Sequence, residues 1–250
     1  METLSKNRLK ELSKLKQKKY REAEGYTITE GYRLLKHLSD NYVFPEELYI
    51  SEAESTKYDL KANKTFEVTR AQLEKLTDTK NPQNIAALLK TDPKKITNIR
   101  FLLYLDNIKE PGNLGTIFRT ASAAEVSGIV LSPECCEAFN PKTIRASLGT
   151  VFTMPFEVRP YEWLKGRKST VISTSLKDAE NLFTVEIPKE NIVLVVGSEA
   201  FGVSENIFRW SDMKVKIPVS EKTESLNVSV ATGICIYHLL NLQKKNSATK

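Results

Sequence analysis

The chain has 250 residues, 40% of them hydrophobic and 27% charged, the balance of a folded globular protein and not of a disordered, collagenous or membrane-spanning one. No apolar run reaches the ~20 residues of a spanning helix, and three cysteines, two of them adjacent at Cys135 and Cys136, exclude a disulfide framework and a spaced zinc site. With only His37 and His238 available, histidine-centred hydrolysis is disfavoured, while a net charge of +6 points to a polyanionic partner.

The charge is concentrated at the start of the chain. Residues 1–25 carry eight cations (Lys6, Arg8, Lys10, Lys14, Lys16, Lys18, Lys19, Arg21) against four acids (Glu2, Glu11, Glu22, Glu24). At about 100° per residue, Leu4, Leu9, Leu12, Leu15 and Tyr20 fall on one side of a helix, and Lys6, Lys10, Lys14 and Lys18 on the other. One face packs and the other meets solvent or phosphate. The same charged stretch lacks the apolar segment of a signal peptide, so cytoplasmic residence is expected. Residues 26–38 read as a helix, and 47–51, 65–69 and 84–90 as short strands, which together make a small α/β unit. The turn- and charge-rich run Thr91-Asp92-Pro93-Lys94-Lys95 then reads as a linker, dividing the chain into domains at 1–92 and 97–250.

In the second domain the expected strands are 101–108, 128–132, 170–175, 191–197 and 214–219. Helices are expected at 114–127, 140–149 and 203–210, with a long apolar helix at 226–242 to close. Continuous apolar strands separated by helices specify an α/β fold with a parallel sheet covered on both faces.

Three polar motifs lie at the ends of these strands. Glu110-Pro111-Gly112-Asn113-Leu114-Gly115, with Arg119 one helical stretch on, is a strand–turn–helix, but its G-x-x-G spacing is not the G-x-G-x-x-G of a dinucleotide fold. Asn113 there is either a helix cap or a ligand contact. The run from Gly197 to Ser204 nearly spells a phosphate-binding loop, yet Val203 stands in the place of the essential lysine and Glu199 would repel phosphate. Glu199 needs donors, either backbone amides or a ligand. The third motif, Glu224 to Ala231, opens the last helix, with Ser225 or Asn227 as its cap. All three fall where open α/β sheets bind ligands, at the carboxyl ends of parallel strands.

The three blocks, EPGNLGTIFRTA, VVGSEAFGVS and IPVSEKTESLNVSVA, resemble in order and spacing the SpoU (TrmH-type) branch of the SPOUT superfamily of RNA 2′-O-methyltransferases. NPKTIRASLGTVFTMPF at 140–156 and EGYTITEG at 24–31 extend the resemblance over nearly the whole chain. It implies a homodimeric catalytic domain whose last segments thread into a trefoil knot, an exception to the rule against threaded chains. It also implies an N-terminal RNA-binding domain similar to ribosomal protein L30e, with rRNA favoured over tRNA as the substrate. S-adenosylmethionine would be held around Gly197, Ile217 and Leu226, with Thr174 nearby. The family's functional residues fall at Asn113, Arg119, Glu199, Ser225 and Asn227. On this reading Arg119 grips phosphate and stabilises a developing oxyanion, Asn113 orients the arginine or the ribose, and the other three organise the site. Two positions depart from the family pattern, Ala200 and Glu221, both standing where glycine is usual. A tRNA 2′-O-methyltransferase and a catalytically silent RNA-binding or ribosome-assembly protein are the alternatives.

Overall fold

The computed structural model describes residues 2–54, 57–188, 191–222 and 224–248. It divides into two compact units, residues 1–93 with 137–153, and residues 94–136 with 154–250. No described helix is long and apolar enough to cross a membrane.

The first unit comprises β1 (Glu2–Thr3), α1 (Lys6–Ser13), α2 (Lys18–Glu24), β2 (Tyr26–Glu30), α3 (Tyr32–Asp40), β3 (Glu47–Ser51), β4 (Lys64–Val68), α4 (Arg70–Leu76) and β5 (Ile85–Lys90). Its mixed sheet runs β1-β4-β3-β5-β2, with β1 and β3 parallel to β4, and β2 and β3 antiparallel to β5. The amphipathic start packs Leu4, Leu9, Leu12 and Leu15 into the core and leaves Lys6, Lys10, Lys14 and Lys18 exposed. It is not one helix. A 3-10 turn at Lys14–Lys16 and an extended Gln17 (φ −98°, ψ 134°) separate α1 from α2. The helix expected at 26–38 is likewise corrected. The β-branched run Thr27-Ile28-Thr29 is buried and pairs with β5, and Gly31, at φ +109°, turns the chain before α3 begins. β-Branched side chains lose rotamer freedom in a helix and pack well on a pleated surface, which is why this segment takes the strand.

The second unit begins with β6 (Phe101–Leu105), α5 (Pro111–Ala123) and β7 (Gly128–Leu131). The chain then contributes α6 (Pro141–Ala146) to the first unit. There Arg145 makes a bidentate pair with Asp78 at 2.7 and 3.2 Å, and the buried Arg21 donates Nε to Glu137 at 2.8 Å and Nη1 to the carbonyls of Leu15 and Lys16. The second unit resumes with β8 (Phe156–Val158), β9 (Thr170–Thr174), β10 (Glu180–Asn181), β11 (Ile192–Val196), α7 (Glu205–Phe208), β12 (Met213–Lys216) and α8 (Val228–Ala248). Its seven strands run β10-β12-β9-β11-β6-β7-β8, and every neighbouring pair is parallel. Every residue of β6 and β11 is buried, as a sheet covered on both faces requires. The short strands β1, β8 and β10 lie outside the sequence expectation, because two or three residues carry no readable periodicity.

Candidate functional site

β9, β11 and β12 end side by side, with Thr174 in register with Val215 and Ser173 with Val195. The loops that follow them enclose a cleft of about 630 Å³, within the usual range of small-ligand sites. Thr174, Gly197, Ile217, Ser225 and Leu226 line it together with Glu199. Val196, Val203 and Val219 add apolar wall, while Lys177, Asp178, Lys214 and Lys216 add charge.

The wall after β11 is a turn folded back on itself. Ser198 N–H donates to the Gly202 carbonyl at 3.1 Å, Gly202 N–H returns a bond to the Ser198 carbonyl at 2.9 Å, and the Ser198 hydroxyl accepts from Phe201 N–H at 3.2 Å. A Cβ on Gly197 would sit 2.0 Å from the Gly202 carbonyl carbon, so any side chain there forces the turn open. Asp106, buried at the end of β6, secures the far side of this turn. Its Oδ2 accepts from Ser204 N–H at 2.8 Å, and its own amide donates to the Val196 carbonyl at 2.8 Å. Sequence reasoning passed over Asp106. The signal was an acid closing an apolar strand, a group that folding must supply with donors.

At the rim of the cleft three side chains from separate segments converge. Glu199 Oε1 accepts from Asn113 Nδ2 at 3.0 Å, Asn227 Nδ2 at 2.8 Å and Val228 N–H at 3.3 Å. Asn227 Nδ2 also donates to Asn113 Oδ1 at 3.0 Å. Asn227 Oδ1 meanwhile accepts from the Ser229 and Val230 amides at 3.0 and 3.3 Å and from the Ser229 hydroxyl at 2.6 Å. Of the two candidate caps for the last helix, Asn227 makes the contacts and Ser225 faces the cleft. Asn113 does not cap its own helix. Glu110 takes that place, with Pro111 at the first helical position, and leaves the Asn113 side chain free to reach Glu199.

Arg119 stands apart. It is exposed on α5, six residues and so about 9 Å of helix beyond Asn113. No hydrogen bond or ion pair is found for it among the described residues, and it does not line the cleft. α5 itself packs on α8, where Gly233 brings the backbone close to Thr120. Glu221 is exposed and absent from the lining, and it is not among the described non-glycine residues with left-handed backbone, Tyr42, Asn107, Glu125, Leu148 and Asp178. It therefore stands outside the cleft lining, with no left-handed backbone strain. Neither Cys135 nor Cys235 offers a nucleophile here. Burial raises the thiol pKa of Cys135 and pushes that of Cys235 up to about 12, and a protonated thiol is inert.

Residues 100–237 match the SpoU rRNA Methylase family, and residues 6–87 match the MRM3-like substrate binding domain. The chain is 31% identical over 245 residues to the 23S rRNA (guanosine(2553)-2′-O)-methyltransferase RlmP of Bacillus subtilis, with 96% of this chain and 98% of that protein covered. It is 30% identical over 147 residues to the 23S rRNA (guanosine-2′-O-)-methyltransferase RlmB of Pseudomonas aeruginosa, with 57% and 59% covered. Among solved structures, the AdoMet-bound rRNA methyltransferase from Sinorhizobium meliloti superposes with a TM-score of 0.82 at 26% identity, covering 96% of this chain and 97% of that one.

Proposed function

The chain belongs to the SpoU rRNA methylase family, and from that premise we propose that it transfers the methyl group of S-adenosylmethionine to a ribose 2′-OH of RNA, with 23S rRNA as its substrate. One observation carries the reading: the Glu199–Asn113–Asn227 array stands at the mouth of a cleft lined by Thr174, Gly197, Ile217, Ser225 and Leu226. The cleft suits the donor. Its apolar wall can cover a purine, Gly197 lets the turn that forms the wall after β11 close on itself, and Asp178 and Glu199 provide negative charge for a sulfonium and an ammonium.

When bound, the donor would supply an electrophilic methyl carbon on sulfur, which the 2′-oxygen would attack in line, the C–S bond breaking to release S-adenosylhomocysteine and the hydroxyl proton passing to solvent. Gly197, Ile217, Leu226 and Thr174 hold the donor, and Ser225 stands at the same wall. Asn227 ties the start of α8 to Glu199 and Asn113, and so fixes the start of α5, on which Arg119 is carried. A guanidinium stays protonated and presents donors in a rigid fork, so Arg119 acts by gripping a phosphate and stabilising the negative charge growing on the 2′-oxygen, not by removing its proton. Pre-setting this geometry is where the fold lowers the barrier.

The first domain, 1–92, is the RNA-binding part and 97–250 the catalytic part, with residues 137–153 of the latter folding into the first compact unit. The final segments form the family's trefoil knot. The enzyme works as a cytoplasmic homodimer. What supports the dimer is α8, whose Val230 and Tyr237, seven residues apart on one face, are 52% and 55% exposed; a helix apolar on its outer face needs a partner to cover it.

The test is incubation with labelled S-adenosylmethionine and undermodified rRNA or tRNA, followed by alkaline hydrolysis. Label in alkali-resistant dinucleotides from rRNA is expected, since a 2′-O-methyl group blocks cleavage at its own linkage. Label only in mononucleotides, or none from either RNA, overturns the reading, and label from tRNA alone reassigns the substrate.

A further inference from the structure

Outside the cleft, the second unit carries a face where cations and aromatic rings alternate. Two segments build it, the 3-10 turn at Tyr161–Leu164 with the residues after it, and α7 with the residues that follow, and the two are in contact. Leu164 and Ile207 are buried beneath and anchor both segments in one apolar cluster, with Tyr161, Trp163 and Phe208 packed against it. The platform is therefore rigid. On top, the Lys165 ammonium lies 5.4 Å from the centre of the Trp210 ring, the Arg167 guanidinium 3.1 Å from that of Trp163, and the Lys214 ammonium 4.8 Å from that of Phe208. Trp210 is 39% exposed, and Lys165, Lys168 and Arg209 in the same two segments are exposed as well. Of the nearby acids, Glu157 pairs with Arg159 at 2.8 Å and Asp212 accepts from the Val171 amide at 2.8 Å, so that Glu162 and Glu205, both exposed on these segments, are the acids set against the cations of the face.

We infer that this face, residues 161–168 and 208–210, docks a single-stranded segment of the RNA, with a base stacked on Trp210 and phosphates on Lys165, Arg209 and Lys168. The inference rests on the reading of the protein as an RNA enzyme and deepens it. A protein partner is the poorer fit, because interface cores are depleted of lysine and this face is rich in it. Unpaired nucleic acid fits both halves of the pattern, phosphate meeting the cations and bases meeting the rings. Stacking a base on an indole is stronger than an exposed lysine–indole contact, so Lys165 can yield the ring and keep the phosphate. Position agrees as well. Phe208 and Lys214 also line the donor cleft, so the face begins at the cleft's edge and a strand leaving the reaction centre runs onto it.

The experiment uses the full chain and a fluorescein-labelled oligoribonucleotide, free or annealed into a duplex, with binding read by anisotropy. W210A is expected to weaken single-strand binding about tenfold and duplex binding much less, because only unpaired bases stack on a ring. W210F should recover most of the loss. K165E with R209E should weaken both forms and flatten the salt dependence. Thermal melting of each variant excludes unfolding as the cause. Unchanged single-strand binding in W210A and in the charge-reversed variant overturns the docking face. So does a loss of binding that follows a change of oligomeric mass in light scattering, which would make the face an interface between copies. Methyl transfer by the natural protein is scored in parallel, so a protein that methylates RNA with binding insensitive to these residues sinks only the docking face, and one that binds through them without methylating sinks only the catalytic reading.

Discussion

Two clusters of charge, one in each unit, are handled in opposite ways. In the first, a buried cation is fully engaged. Arg21 meets two backbone carbonyls and the mostly buried carboxylate of Glu137, and Arg145 and Asp78 close a second, bidentate pair. In the second unit, Glu199 accepts only from neutral amides, and Arg119 has no partner among the described residues. Charges neutralised by each other hold elements together and have nothing left for a ligand. A carboxylate dressed with amides keeps its charge, and an arginine without a carboxylate keeps its full capacity to bind an oxyanion. The contrast separates structural charge from functional charge without reference to chemistry.

The contrast is most exposed to refutation at Arg21. R21A leaves Glu137 buried without its cation and should cost about 3–5 kcal/mol of folding stability, measured by urea denaturation. A loss below about 1 kcal/mol would mean that this pair is no more structural than a surface one. At Arg119 the expectation is reversed. R119A should lower turnover by about 10²–10³-fold, the scale of losing one oxyanion donor, while stability moves by less than about 0.5 kcal/mol, as for an exposed side chain. Donor binding, followed by calorimetry, should be unchanged. A parallel loss of donor binding would assign Arg119 to holding the cofactor.

Asn227 lies between the two kinds, since it both caps a helix and shapes the site. N227A should cost about 1–2 kcal/mol through the lost cap and also reduce turnover. If only stability falls, the Glu199 array is structural and the contrast between the units narrows. The smallest effect is expected at Asp78. Burial alone would raise its pKa, but the hydrogen bond and charge of Arg145 outweigh burial and set it below the usual carboxylate value. A carboxyl depressed on folding stabilises above its unfolded pKa and loses that contribution as pH falls through its folded value. D78N should therefore cost up to about 1 kcal/mol at neutral pH, discounted for partial exposure. The difference from the natural protein should shrink to nothing on acidification below the ordinary carboxylate range.

Much of the second unit was legible in the residues. FLLYL at 101–105 and IVLVV at 192–196 are buried throughout, and five consecutive apolar residues of this kind, bounded by turns and too short for a core helix, suit a strand covered on both faces. Arg21 shows why the rest was not. In sequence it is one more cation in a basic segment, and its burial depends on Glu137, 116 residues away. The same holds at the site, where Asn113 and Glu199 are 86 residues apart and no local pattern distinguishes an asparagine that caps its helix from one that reaches across a cleft. Residues 26–38 were misread for a nearer reason, since a five-residue strand followed at once by a nine-residue helix presents one continuous mixed pattern.

The place of β11 has a consequence for the time at which the cleft can exist. This strand lies between β6 and β9, so Phe101 finds its partner at Ile192 only after ninety intervening residues have been made. During synthesis β6 must wait with one edge unpaired and β9, whose other neighbour β12 is made later still, with both, each edge a row of open amides and carbonyls beside apolar side chains. Pairing across such a separation is slow, because the loop must close before the contacts that reward closure can form. The nascent second unit is thus exposed to aggregation until its central strand leaves the ribosome, and chaperone demand should track the delay between residues 101 and 192.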